Sequence, residues 1–189
     1  MKKESMLMRQ LVSLWKTCER RGKNTMRDNL KTLLQKLLIH DVDFVLAGGL
    51  ACVVHGSPLV TQDIDICLAI DDDQLSKLRA ALYDVNPRFR MNPNFKPSFL
   101  DHPKRSDELR NIYLETDLGV LDIMSELQPV GAFEMVKQRA ITITLYGYAC
   151  KVVCLEDLIR IKESMTRPKD KEALLHLLAI LQKKAKSTN

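Results

Sequence analysis

The residues best suited to chemistry are two aspartates, Asp63 and Asp65, separated by a single isoleucine. Successive side chains of an extended strand point to opposite faces, so residues two apart share a face. Ile64, Ile66, Leu68 and Ile70 alternate with Asp63, Asp65, Cys67 and Ala69, which predicts a strand with one apolar face and both carboxylates on the other. Two carboxylates so placed can hold one or two hard divalent cations, and magnesium suits them. Upstream, Gly48 and Gly49 end a short apolar run over 44–47 and precede a short helical stretch over 50–55. Glycines at such a turn let backbone N–H groups approach phosphate oxygens at a helix start, where the helix dipole favours anions. Ser57 and Thr61, between the helix and the aspartates, could bind phosphate or shape the loop. His55 could serve as a base, although a histidine ending a short helix is more often a cap or a packed side chain.

Several elements must position these groups. Leu7, Leu11, Leu14, Trp15 and Cys18 recur at helical spacing and predict a helix over 6–20, stopped by Arg20-Arg21-Gly22. Leu30, Leu33, Leu34, Leu37 and Leu38 repeat the pattern after Thr25 and Asp28, which have the spacing of a capping box. The run Asp71-Asp72-Asp73 precedes Leu75, Leu78, Ala81 and Leu82 at helical spacing, so helix capping explains those acids. Residues 86–107 carry four of the seven prolines and little periodicity, which predicts an irregular excursion long enough to touch substrate. A hairpin is expected over 111–124 around Asp117-Leu118-Gly119, and another over 141–153 around Tyr146-Gly147. Helices over 155–165 and 170–181 close the chain.

A strand, Gly-Gly, a short helix and a strand opening Asp-Ile-Asp are the order of the polymerase β-like nucleotidyltransferases. The stretch 44–68, FVLAGGLACVVHGSPLVTQDIDICL, closely resembles that family's signature. The segment 155–170, with Leu155-Glu156-Asp157-Leu158-Ile159-Arg160-Ile161-Lys162 and then Arg167-Pro168-Lys169-Asp170, is similar to bacterial nucleotidyltransferase-like toxins of the AbiEii type. The resemblance implies an α+β (mixed α/β) fold in which a small mixed sheet is flanked by helices. It also implies a third carboxylate from a later strand, as metal ligand or base; Asp122 lies on a suitable strand, with Asp117 and Glu115 as near competitors. Lys162, Arg167 and Lys169 would then contact the nucleotide's phosphates beside Gly48, Gly49 and Ser57, and Asp170 would orient a lysine or cap the last helix. One departure from the family pattern stands at Leu59, where Arg-x-Thr-x-Asp would have arginine before Thr61 and Asp63.

The composition agrees with such a reading. A chain of 189 residues, 46% hydrophobic and 28% charged, suits one globular domain: a helical extension over 1–23, a core over 25–154 and helices over 155–189. No apolar run approaches the roughly 20 residues of a spanning helix, and no signal-peptide stretch follows the basic start. Five cysteines without a C-x-x-C pair read as reduced core thiols and point to the cytoplasm. The net charge of +5 mildly favours a polyanionic ligand, while aromatics at 5% limit stacking on bases.

The expected activity is magnesium-dependent transfer of a nucleoside monophosphate from a nucleoside triphosphate to an acceptor hydroxyl. Asp63, Asp65 and Asp122 are the expected metal ligands. The resemblance offers a tRNA end, a small molecule such as an aminoglycoside, or a protein side chain as acceptor. It also offers a role as the toxin half of a toxin–antitoxin pair, with an antitoxin protein as partner. The rival expectation is a catalytically inactive module of the same fold that senses nucleotide or binds protein.

Overall fold

The computed structural model describes residues 25–101, 106 and 109–188. The helix expected over 6–20 lies outside the described residues, as do Cys18 and parts of the proline-rich excursion. Helix α1 (Thr25–Ile39) leads into strand β1 (Val45–Leu46), helix α2 (Gly48–His55), strand β2 (Asp63–Cys67) and helix α3 (Asp72–Leu82). Strands β3 (Arg88–Phe89), β4 (Asn111–Thr116), β5 (Gly119–Met124), β6 (Glu126–Leu127) and β7 (Gly131–Ala132) follow. Helix α4 (Phe133–Arg139), strands β8 (Ile141–Leu145) and β9 (Tyr148–Val152), and helices α5 (Leu155–Glu163) and α6 (Pro168–Thr188) complete the order.

Seven strands form one mixed sheet in the order β3-β4-β5-β2-β1-β9-β8, and β6 pairs with β7 separately. The pairs β2–β5 and β1–β9 are parallel and the other neighbours antiparallel. Ile64 lies opposite Leu121 and Ile66 opposite Ile123, while Ile112 and Leu114 continue these rows on β4. All six are fully buried. Helix α1 lies against β2, β5 and β9 and also packs on α3, and its Leu30, Leu33, Leu34 and Leu37 are buried. The apolar face of β2 is thereby enclosed, which leaves the aspartate face for the site. Helix α2 packs against α5 and α6, which pack on each other.

Several expectations are refined. Strand β1 is two residues long, because the chain enters α2 at Gly48. Strand β2 stops at Cys67, and Asp71 then caps α3 by accepting the Gln74 N–H at 2.8 Å, as its position before the leucines implies. The last helix starts at Pro168, whose missing N–H needs no partner in a first turn, and runs to Thr188. The proline-rich excursion is not wholly irregular: Arg88 and Phe89 pair with Glu115 and Leu114, and Phe99 is fully buried edge-on to Phe89. Strands β6 and β7 and helix α4 had no counterpart in the sequence reading, since elements of two and seven residues display no readable period.

Among the described residues no helix is long and apolar enough to cross a membrane. Cys52, Cys67 and Cys150 are buried and free, and Cys154 is half-buried and free. Burial pushes the Cys67 and Cys150 thiols up to about 12, so neither is a ready nucleophile.

Candidate active site

The sheet register assembles the site. Asp65 on β2 lies directly opposite Asp122 on β5, Asp122 lies opposite Tyr113 on β4, and the backbone N–H of Arg90 donates to the Tyr113 carbonyl at 3.1 Å. Residues paired in register project to the same face, so one row across adjacent strands runs Asp65, Asp122, Tyr113, Arg90. Asp63 stands on the same face, two residues before Asp65. Of the three acids considered on that hairpin, the parallel β2–β5 pairing sets Asp122 directly beside Asp65, whereas Glu115 is one strand further away and pairs with Lys96 at 2.7 Å. Asp117 instead sits in the turn, where its N–H donates to the Val85 carbonyl at 2.9 Å.

The glycine turn closes over this row. Gly48 has φ +56°, and a Cβ there would fall on the carboxyl group of Asp65. A Cβ on Gly49 would fall on the Thr61 side chain. With neither present, the Gly49 N–H reaches the Asp65 carboxylate and the start of α2 lies against it. The Thr61 hydroxyl donates to Asp63 Oδ1 at 2.6 Å and fixes that carboxylate. Ser57 is buried, and its Oγ accepts the Leu59 N–H at 3.4 Å inside the connecting loop. His55 Nε2 donates to the Val153 carbonyl at 2.8 Å, tying the end of α2 to the strand end, and burial lowers its pKa. That geometry gives His55 a packing role.

Burial pushes the Asp65 carboxyl up to about 6, with the charges of Asp63 and Asp122 adding to it and the Gly49 N–H and Lys162 opposing it. The Lys162 side chain is nearly buried, and its Nζ donates to Asp170 Oδ1 at 2.6 Å. Arg167 Nε donates to Asp170 Oδ2 at 2.9 Å from a much more exposed position. Asp170 thus orients the lysine, one of the two roles its position allowed. Burial raises the Asp170 pKa, but the hydrogen bond and charge of Lys162, with Arg167, outweigh it and hold the carboxyl below its usual value. Lys169 is exposed on the first turn of α6.

Asp170→Ala is expected to leave a buried ammonium without its partner and to destabilise the fold by about 3 kcal/mol. Because the folded pKa of Asp170 is depressed, its contribution is present above the unfolded carboxylate value and fades as pH falls below it. Urea unfolding of both proteins at pH 7 and pH 3 checks this: the gap between them should narrow at pH 3.

Arg90 is the residue that the sequence reading missed. Its NH2 group donates to both oxygens of Asp122 at 2.6 Å, and its Nε reaches Oδ1 at 3.2 Å. The guanidinium also lies over the Tyr113 ring, 5.6 Å from its centre. The only sequence signal was an arginine in the short Arg88-Phe89-Arg90 alternation between prolines. Among the described residues no group of three ligating side chains is gathered closely enough to hold a metal ion as it stands. The donor set nevertheless suits a hard divalent cation: Asp63, Asp65 and Asp122 offer carboxylate oxygens only, and the Asp65 pKa, raised first by burial, is raised further by the Asp63 and Asp122 charges that a cation would neutralise.

No known family profile matches the chain, and no curated protein matches it. Among solved structures, it is similar to the antibiotic-resistance factor ANT(2'')-Ia, with a TM-score of 0.51 and 14% identity over 80% of this chain and 84% of that one. The chain has the nucleotidyltransferase fold. The seven-stranded mixed sheet and its flanking helices are those of the fold that the resemblance over 44–68 implied. Within this nucleotidyltransferase fold, the paired aspartates stand on a central strand and the glycine turn lies against them.

Proposed function

We propose that the protein transfers a nucleoside monophosphate from a nucleoside triphosphate to an acceptor hydroxyl. The observation that carries this reading is the register pairing of Asp65 with Asp122, beside Asp63 and under the Gly48–Gly49 turn, on a nucleotidyltransferase fold. Asp63, Asp65 and Asp122 would hold magnesium, which supplies charge neutralisation for the triphosphate and the leaving group. The amino-terminal turn of α2 offers backbone N–H groups to phosphate oxygens at the same place. Lys162, held by Asp170, adds a fixed cation whose charge already reaches Asp65. Lys162 and Asp170 are also residues on which the resemblance to AbiEii-type proteins rests.

In the reaction, the acceptor oxygen forms a bond to the α-phosphorus while the bond from that phosphorus to the bridging oxygen breaks. Pyrophosphate leaves, and the hydroxyl proton passes to a carboxylate of the row. A tRNA end, a small polyhydroxylated molecule and a protein side chain each supply such a hydroxyl. The description of ANT(2'')-Ia as an antibiotic-resistance factor adds antibiotic hydroxyls to the acceptors worth assaying.

Calorimetric titration with each nucleoside triphosphate in magnesium tests the reading, run beside the Asp63→Asn, Asp65→Asn double variant. Magnesium-dependent binding that disappears in the variant is the expected result. Absence of binding for every triphosphate by the folded native protein would reject transferase activity in favour of a module that binds protein.

A further inference from the structure

Both oxygens of Asp122 are already taken, and Arg90 takes them. That arginine comes from the proline-rich excursion whose length predicted contact with substrate. Its backbone is pinned to β4 through the Tyr113 carbonyl, whereas its side chain keeps about a third of its surface in solvent. The stem is therefore anchored and the guanidinium has room to swing. A guanidinium fork pairs with carboxylates and with phosphates through the same two-bond geometry. A cation ligated by Asp122 needs the oxygens that Arg90 holds, and the triphosphate accompanying that cation offers the fork acceptors of the same geometry and higher charge.

Resting on the reading above, we propose that Arg90 is a triphosphate-binding residue parked on Asp122, and that it exchanges the carboxylate for phosphate oxygens when metal and nucleotide enter together. Parking makes the bare cation bind weakly, since it must break a bidentate pair with nothing to replace it. Metal and triphosphate then bind with positive coupling, because each removes the obstacle to the other. A permanently structural Arg90–Asp122 pair has a different consequence: its loss would weaken both ligands alike.

The test uses the full chain, manganese as the metal probe and inorganic triphosphate as the anion probe. Free manganese is followed by electron paramagnetic resonance, and the manganese–triphosphate complex by calorimetry. Arg90→Met is expected to bind manganese alone about tenfold more tightly than the native chain, the scale of the one charged bidentate pair that no longer has to be broken, and manganese–triphosphate more weakly, because the phosphate contact it loses outweighs the parking cost it is spared. Arg90→Lys, which keeps the charge without the fork, should shift both affinities in the same opposed senses by less, and it serves if the methionine variant does not fold. Changes of the same sign for both ligands would overturn the exchange. Asp63→Asn separates this from the underlying reading. If Asp63→Asn abolishes manganese binding while the Arg90 variants shift both ligands alike, the metal site stands and the exchange alone fails. If the native chain takes up no manganese, or Asp63→Asn leaves its uptake unchanged, the carboxylate site itself fails and the exchange with it.

Discussion

Asp65→Asn is expected to make the metal-free protein more stable at neutral pH while removing the proposed nucleotide transfer. Burial and the charges of Asp63 and Asp122 push the Asp65 carboxyl from 3.8 up to about 6. A carboxyl whose folded pKa exceeds its unfolded value binds its proton more tightly when folded. Its stabilising effect is therefore complete below the unfolded value and is lost as pH rises through about 6. Above that pH the ionised form costs the native state up to about 3 kcal/mol, and asparagine removes this cost while still accepting the Gly49 N–H. For a chain of this length the gain corresponds to roughly 5–10 °C in melting temperature.

Thermal melts from pH 4.5 to 8 without divalent ions check the sign. The advantage of the variant should be largest near pH 7.5 and shrink toward pH 4.5. An advantage independent of pH, or a less stable variant, would show that Asp65 is not under electrostatic stress. On the proposed reading, added magnesium should then raise the melting temperature of the native protein and leave that of the variant unchanged, because the variant lacks the proposed ligand. Loss of the proposed metal ligand would withdraw several kcal/mol of transition-state stabilisation, so the proposed transfer should fall by on the order of a thousandfold. Such a stability–activity opposition is what a binding site, as opposed to a packing residue, should display.

Gly48→Ala should have the opposite effect on stability and the same effect on function. Its φ of +56° costs a residue with a side chain about 1–2 kcal/mol. The new methyl group would also occupy the place of the Asp65 carboxyl, adding about 1–3 kcal/mol of overpacking. Relief requires either the start of α2 to move off β2 or the Asp65 side chain to rotate away from Gly49. Both disturb the carboxylate face, so magnesium-dependent nucleotide binding should vanish along with roughly 5–15 °C of melting temperature. Gly49→Ala is the informative contrast. Its methyl group would meet the Thr61 side chain, which can rotate at the expense of its bond to Asp63. Scanning calorimetry of the two variants should show the larger loss at Gly48. Equal losses would mean that the close approach to Asp65 is not what demands glycine there.

The sequence by itself determined the parts of the protein that depend on local periodicity. Alternation of isoleucine and aspartate put Asp63 and Asp65 on one face of β2, leucine spacing placed α1 and α3, and Gly119 and Gly147 marked the turns of two hairpins. The glycine pair before the Asp-x-Asp was also readable, because close backbone approach leaves a residue-type signature. Two-residue strands outside an apolar run such as 44–47, and a helix of seven, leave none, so β3, β6, β7 and α4 emerged only with the fold.

Tertiary structure decided which distant groups meet the aspartates. Strand register is set by which apolar faces bury together, and it is the pairing of Ile64 with Leu121 and of Ile66 with Ile123 that brings Asp122 beside Asp65. The same register carries Arg90 across β4 onto Asp122, a contact between residues 32 apart that no local pattern encodes. Packing of α5 and α6 against α2 likewise brings the Lys162–Asp170 pair to the aspartates. Short-range order follows from side-chain spacing along the chain, whereas the composition of the site follows from the burial of a shared apolar face, which only the folded chain completes.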